Sequence, residues 1–341
     1  MKKLISDVLN LILSSTKLFL AFLLKGLIRE KPESYIIGSN YGTKRSDNAK
    51  ALYNYIKSLG KEVYFIEDIP TGKNSLKRGS FKSFIYYFKA SGVFYSHSFS
   101  DILPSMHKAG MIVKYLGGPK KVFIQHGVIF TKKINNYVKS LKNTVDYFVV
   151  SSKLEKKIVE QIGIPEEKLK LLGLPRHDLL PENIKKTEKI FVFLTWKEGS
   201  LYLSKLREIL EVLKTTDYPV KLAVHNMVKG DLDIDEKYLT SDIGKEVREA
   251  SILITDDSSV AWDFFYNGRE VIFYKSEEEW YVDDEFLEYR KVNSQEELKD
   301  HLKKVIDNNL KIEVPMKLFE HRDSNNSERV FEVLNNNREN N

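Results

Sequence analysis

Residues 35–67 read YIIGSNYGTKRSDNAKALYNYIKSLGKEVYFIE: an apolar run at Tyr35–Ser39, a stretch with helical spacing over Asp47–Leu59, and a second apolar run at Val63–Glu67. Strand, helix and strand in that order make a parallel β-α-β unit with a right-handed crossover. The alternation continues through strands at Val93–Ser96, Lys121–Ile124 and Tyr147–Val150, with a helix expected over Leu76–Ala90. It pauses at the polar stretch Leu180–Lys189, which contains Pro181. It then resumes with strands Ile190–Thr195, Val220–Val224, Ile252–Thr255 and Val271–Tyr274, interleaved with helices Leu201–Lys214, Ser241–Ala250, Ser259–Tyr266 and Gln295–Asp307. The expectation is an α/β protein of two doubly wound parallel-sheet domains, 32–181 and 182–341, preceded by a separate helix in 1–31.

Composition agrees with two domains. The 341 residues are 42% hydrophobic and 30% charged, enough for a sizeable core. Cysteine is absent, which excludes disulfides, thiolate zinc sites, iron–sulfur clusters and a cysteine nucleophile. Net charge is +6, and residues 1–31 hold six cations against two carboxylates, leaving +2 for the other 310 residues. A second basic span, Ile102–Val145, carries eight lysines, Lys132 and Lys133 among them, and no Asp or Glu. Such a field attracts phosphates or anionic lipid.

The amino end is apolar from Leu4 to Ile28, but its longest uncharged runs, Val8–Thr16 and Leu18–Leu24, fall short of the ~20 residues of a spanning helix. Lys3, Asp7, Asn10, Ser14, Lys17, Ala21 and Lys25 recur at threes and fours, a narrow polar stripe on a greasy helix. That pattern suits a helix in the membrane interface, its lysines towards headgroups. A helix docked on its own domain is the bland alternative; a spanning segment or a signal peptide is a third.

Ligands of open parallel sheets bind beyond the carboxyl ends of the strands. Four clusters fall there or in a neighbouring turn. Val122-Phe-Ile-Gln-His126-Gly127 delivers an imidazole into a loop beside a glycine, the placement of a general base. Leu222-Ala-Val-His225-Asn226 repeats the arrangement in the second domain. Ile252-Leu-Ile-Thr255-Asp256-Asp257-Ser258-Ser259 ends a strand in hydroxyls and opens a helix, where capping and anion binding use the same free N–H groups. Gly173-Leu-Pro-Arg176-His-Asp178 fixes a guanidinium in a turn. Ser96-His97-Ser-Phe-Ser-Asp101, Arg322 and Arg329 are weaker candidates. No Walker, G-x-G-x-x-G or H-E-x-x-H motif occurs, so neither a metal nor a dinucleotide is expected. The basic span lacks a nucleic-acid-binding motif, so no nucleic-acid partner is expected.

Taken in order, Ser46-Asp-Asn48, Ser96-His97-x-x-x-Asp101-Ile-x-Pro104, Phe123-Ile-Gln-His126-Gly127, Gly173-x-Pro-Arg176-x-Asp178, the His225 strand, Thr255-Asp256-x-Ser258-Ser259-Val-x-x-Asp263-Phe264 and Arg322–Arg329 resemble the CDP-glycerol glycerophosphotransferase family of wall teichoic acid synthesis. The resemblance spans about residues 35 to 330; the chain departs from the family's usual residues at Gln125, Leu174, Asn226 and Asp257. It implies a GT-B-like pair of Rossmann-type domains, peripheral on the cytoplasmic face of the plasma membrane. It also implies transfer of glycerol phosphate, or a related polyol phosphate, from a CDP-linked donor to a lipid-linked acceptor with release of CMP.

Under that resemblance His126 is the base, and His225 with the Ser258-Ser259 turn holds the donor's pyrophosphate. The expected donor side adds Thr255, Asp256, Arg176, Arg322 and Arg329. The expected acceptor side is His97, Asp101, Gly127, Lys132 and Lys133. No cofactor is expected beyond the CDP donor. The same architecture also suits a glycosyltransferase using a nucleotide sugar, and a non-catalytic protein that binds anionic membranes is the reading from another class.

Overall fold

The computed structural model describes residues 2–26, 33–45, 47–103, 116–180, 188–195, 200–224, 234–282, 285–307, 314 and 316–335. The first sheet contains β1 (Ser34–Gly38), β2 (Glu62–Glu67), β3 (Ser75–Lys77), β4 (Gly92–Tyr95), β5 (Lys120–Phe123), β6 (Tyr147–Val150) and β7 (Leu169–Leu171). Its order is β3-β2-β1-β4-β5-β6-β7, and every pairing is parallel. The second contains β8 (Ile190–Phe193), β9 (Val220–Ala223), β10 (Ile252–Thr255), β11 (Glu270–Tyr274) and β12 (Lys291–Val292), in the order β12-β11-β10-β8-β9, again all parallel. β1, β4, β6, β10 and β11 are buried along their whole length, which is why they read as unbroken apolar runs.

Each sheet has a switch point where the winding reverses, between β1 and β4 in the first and between β8 and β10 in the second. At the first, Gly38 closes β1 against the turn Phe99–Asp101: a Cβ there would lie 2.6 Å from Ile102 Cδ1 and 2.7 Å from the Asp101 carbonyl oxygen. Only glycine allows that approach. The second unit's core is a layer of Ile190, Val192, Leu222, Ile254 and Ile272 covered by Leu206, Ile209, Leu298 and Leu302 from the helices Ser200–Leu213 and Gln295–Asp307.

The chain forms two compact units, but not by a single cut after residue 181. One comprises Met1–His126, Asn135–Leu179 and Glu320–Asn341; the other comprises Gly127–Ile134 and Leu180–Phe319. The closing segment returns to the first unit because its apolar face belongs there: Phe331, on the helix Asn326–Glu332, packs on Tyr35 of β1 at 4.9 Å and Tyr55 at 6.1 Å. Residues 127–134 join the second because Phe130 packs edge-on to Trp262 at 4.8 Å and its carbonyl accepts the Tyr281 N–H at 2.9 Å.

The helix expected over Leu76–Ala90 divides in two. Leu76 lies in edge strand β3, and Ser80 then caps a helix, Phe81–Lys89, by accepting the Ser83 N–H at 3.1 Å. Sequence periodicity had merged the strand with the helix because both bury apolar residues.

The amino-terminal helix, Lys2–Leu24, belongs to the first unit rather than standing apart. It packs along Phe81–Lys89: Leu18 and Ala21 are buried, and Phe22 meets Phe88 edge-on at 5.5 Å. Of the polar stripe, Ala21 is buried, Ser14 and Lys25 are half-buried and Lys17 is exposed, so the stripe runs along the edge of the packed face. The opposite arc, Ile12, Leu13, Phe19, Leu20, Leu23 and Leu24, is exposed, Ile12 at 56% and Leu23 at 55%. Among the described residues no helix is long and apolar enough to cross a membrane.

Candidate active site

In the first unit the ends of β1, β4 and β5 bring His97, Asp101 and His126 together. Asp101 is fully buried and accepts three backbone N–H groups, from Tyr41 at 2.7 Å, Ser96 at 3.1 Å and His97 at 2.8 Å. It thereby ties the chain leaving β1 to the chain leaving β4. Burial raises its pKa, and those N–H groups together with His97 act against the rise. The His97 ring stands 4.4 Å from that of His126 and 5.8 Å from that of Tyr41. Its own pKa is lowered by burial, with Asp101 opposing.

His126 is exposed, and its backbone is held from behind. Gln125 has φ 57°, a left-handed conformation costing about 1–3 kcal/mol in a residue with a side chain. Three contacts enforce it. The Gln125 side chain donates to Val149 O at 2.6 Å, the Asn48 amide donates to Gln125 O at 3.0 Å, and Arg176 Nη1 donates to His126 O at 3.0 Å. Asn48 in turn accepts the Arg176 N–H at 2.9 Å. Arg176, expected on the donor side, therefore supports the backbone of the expected base.

The closing arginines divide. Arg329 is a clasp: it donates to Leu172 O at 3.1 Å, to Asp323 through two nitrogens at 2.8 Å, and to Asn326 at 2.7 Å. Asp178 receives the Asn326 and Ser327 N–H groups at 3.0 and 2.6 Å, capping the helix Asn326–Glu332. Arg322 is exposed in the same unit, and neither arginine belongs to the unit that holds the Thr255–Ser259 turn.

In the second unit the ends of β8 and β10 are laced together. Thr255 Oγ1 donates to Phe193 O at 2.5 Å, and Asp256 accepts the Thr195 and Asp257 N–H groups at 2.8 and 2.7 Å. Burial raises the Asp256 pKa. Asp257 accepts from Trp280 Nε1 at 3.0 Å, from Ser276 Oγ and from the Glu277 N–H at 3.3 Å, and its carbonyl accepts Thr131 Oγ1 at 3.1 Å. Ser258 Oγ accepts the Val260 N–H at 3.3 Å at the start of the helix Val260–Tyr266, whereas Ser259, which precedes that helix, makes no side-chain cap. Among the described residues no group of three or more His, Asp or Glu gathers as a metal site.

Gly127, Lys132 and Lys133, expected on the acceptor side with His97 and Asp101, lie in the segment Gly127–Ile134 that belongs to the second unit. Lys132 pairs with Glu278 at 3.5 Å and Lys133 with Glu279. Lys121 likewise pairs with Asp146 at 2.8 Å. The span is acid-free in sequence but not in space, because a parallel sheet brings acids from distant loops beside it. His225 lies outside the described residues.

Sequence reasoning missed Asn40, Tyr41, Ser276 and Trp280. Asn40 and Tyr41 have φ of 48° and 55°, and the following Gly42 has 80°, just after the end of β1. Asn-x-Gly directly after a strand was the available signal, since Asn and Gly tolerate the left-handed region best.

These two laced strand-end clusters, an imidazole pair in one unit and a hydroxyl-rich turn in the other, are found in a chain whose sequence matches, over residues 22–203 and 206–336, the family described as CDP-Glycerol:Poly(glycerophosphate) glycerophosphotransferase. The chain belongs to that family. A relative, the minor teichoic acid biosynthesis protein GgaB of Bacillus subtilis (strain 168), is 24% identical over 353 residues, which is 85% of this chain and 38% of GgaB. The chain thus spans well under half the length of that relative. Among solved structures, the wall teichoic acid polymerase TagF superposes with a TM-score of 0.68 at 18% identity, covering 98% of this chain and 97% of TagF. The MnaA–UDP structure from S. aureus superposes at 0.61 with 12% identity over 89% of this chain and 97% of its own. The glycerophosphotransferase fold here is therefore α/β with two parallel sheets, the GT-B-like arrangement of TagF.

Proposed function

We propose that this chain transfers glycerol phosphate, or a closely related polyol phosphate, from a CDP-linked donor to a hydroxyl of a lipid-linked acceptor in teichoic acid or similar cell-surface polymer synthesis. The observation that carries the reading is the exposed His126, set by Gln125, Asn48 and Arg176 at the carboxyl end of β5 in a chain of this family. A polyol hydroxyl is a poor nucleophile at neutral pH. His126 takes its proton as the oxygen bonds to the phosphorus that carries the glycerol, and the bond from that phosphorus to CMP breaks, with the electron pair leaving on CMP. A positioned base contributes ~10²–10⁴ in rate.

The turn Thr255–Ser259 is the proposed donor cradle, with His225 and the helix start at Val260 as further contributors. Backbone N–H groups and hydroxyls stabilise the charge that develops on the departing CMP. Asp256 and Asp257 are occupied by backbone, Ser276 and Trp280 donors, so the reading assigns stabilisation of that charge to donors rather than to a divalent ion.

Location follows from the amino-terminal helix. Its exposed apolar arc is the proposed contact with the cytoplasmic face of the plasma membrane, where a lipid-linked acceptor is embedded. The test is incubation with CDP-glycerol, CDP-ribitol and several nucleotide sugars while CMP or UDP release is followed and the acceptor product is weighed. CMP release with an added polyol phosphate is expected; UDP release with an added sugar would establish a glycosyltransferase instead.

A further inference from the structure

His97 is held by its backbone surroundings in one protonation form. Its Nδ1 lies 3.1 Å from the amide nitrogen of Asn40 and 3.0 Å from Ser96 Oγ. A backbone N–H is an obligatory donor, so Nδ1 must present its lone pair, and the ring proton must sit on Nε2. A hydroxyl can turn to suit either form of the ring; the amide cannot.

The amide is fixed in turn. Asn40 is in the left-handed region, its carbonyl accepts the Thr43 N–H at 3.0 Å, and the next N–H, that of Tyr41, is anchored on Asp101. Protonating Nδ1 would set one N–H against another. Four neighbouring groups face or flank the ring: Asp101 Oδ2 at 3.9 Å from Nδ1, the His126 ring, the Tyr41 ring, and Tyr137, whose hydroxyl donates to the His97 carbonyl. Asp101 alone would favour an imidazolium, and its two oxygens already accept three N–H groups.

We propose that His97 is a non-titrating hydrogen-bond donor, a neutral ring with its proton on Nε2, offered to an anionic phosphate oxygen of the substrate beside His126. Two imidazoles 4.4 Å apart would suppress each other's protonation if both titrated, because like charges at that range disfavour the second. A neutral His97 lets His126 accept a proton without that repulsion. The substrate half of the proposal rests on the phosphotransfer reading; the tautomer does not.

The experiment uses the full chain labelled with ¹⁵N-histidine. Long-range ¹H–¹⁵N spectra are recorded from about pH 5.5 to 8, across the ordinary imidazole range, with the His97 signals assigned by their loss in His97→Gln. An unprotonated Nδ1 and a protonated Nε2 throughout are expected. A protonated Nδ1, or conversion to imidazolium within that range, overturns the proposal. In transfer assays His97→Phe keeps a ring beside His126 but removes the donor, and a loss of about 10² in kcat/KM is expected. His97→Gln restores an N–H and should recover to within about tenfold of wild type with the acid limb unmoved. A fully active Phe variant, or an acid limb that moves in the Gln variant, refutes the role. If wild type transfers nothing from any CDP donor, the transferase reading falls, while the spectrum still decides the tautomer.

Discussion

Arg176 Nη1 donates to the carbonyl oxygen of His126 at 3.0 Å, across 50 residues of sequence. A guanidinium fixed on that carbonyl limits where the imidazole can go by holding the backbone that carries it. Arg176→Met should therefore lower turnover on a CDP donor by roughly tenfold or more while leaving CDP affinity near wild type, since misplacement of a base affects the transition state more than ground-state binding. Calorimetric titration beside steady-state kinetics separates the two. A loss confined to CDP affinity would return Arg176 to the donor side.

His126→Ala should fold normally, because the imidazole is exposed and the Arg176 hydrogen bond is to the backbone carbonyl, which the variant keeps. Turnover should fall by about 10² or more with donor binding nearly intact. A folded variant that turns over at the wild-type rate would make His126 structural.

Much of this arrangement was legible in the sequence, and the part that was not has a physical cause. Tyr35–Ser39, Val63–Glu67 and Ile252–Thr255 could be read as strands because burial on both faces leaves no polar alternation. β3, β7 and β12 are two or three residues long with exposed or half-buried positions, too short for any periodicity to register. His126 and Asp101 were legible from their place after strands. Arg176 and Arg329 were read as ligand groups because a motif shows which residues recur but not whether a guanidinium faces a ligand or a carbonyl. The lysine span misled for a related reason: Glu278 and Glu279 are remote in sequence and adjacent in space.

In the second unit, Ser258→Ala removes a hydroxyl that accepts the Val260 N–H, and should cost about 0.5–1.5 kcal/mol of stability as a lost hydrogen bond. Ser259 makes no side-chain cap, so Ser259→Ala takes no cap hydrogen bond from the helix. Both should weaken CDP binding if the turn cradles the diphosphate. Calorimetry with CDP decides it: unchanged affinity in both variants would move the nucleotide elsewhere.

Glu67, at the end of β2, supplies a pH dependence. Burial acts to raise its pKa, but hydrogen bonds from Arg45, Ser75 and Thr71 outweigh it and hold the carboxyl at about 2, against 4.5 for an unperturbed glutamate. A depressed carboxylate binds fewer protons folded than unfolded, so its stabilisation is present above about pH 4.5 and is lost as pH falls towards 2. Glu67→Gln should lower the melting temperature at neutral pH, and the gap to wild type should narrow through that window. Thermal melts at a series of pH values would show it; a gap that stays constant down to pH 3 would mean the pair with Arg45 contributes nothing.

The amino-terminal helix separates docking from membrane contact by face, which allows the two to be tested apart. Ala21 and Leu18 are buried against the first unit, so Ala21→Leu should disturb the packing on Phe81–Lys89 and destabilise the protein. Leu13, Leu20, Leu23 and Leu24 lie on the exposed arc, 37–55% exposed, where replacing them by Ser removes apolar surface away from the packed face of Leu18 and Ala21. At ~25 cal/mol per Å² of apolar area withdrawn from water, four such side chains are worth several kcal/mol of vesicle binding. The quadruple variant should melt near the wild-type temperature, float poorly with anionic vesicles and keep turnover on a short soluble acceptor while losing it on a membrane-embedded one. Flotation, melting and turnover on both acceptors together carry the test. Undiminished flotation would show that the arc is not the membrane contact, and loss of activity on the soluble acceptor would show that the helix serves the catalytic unit directly.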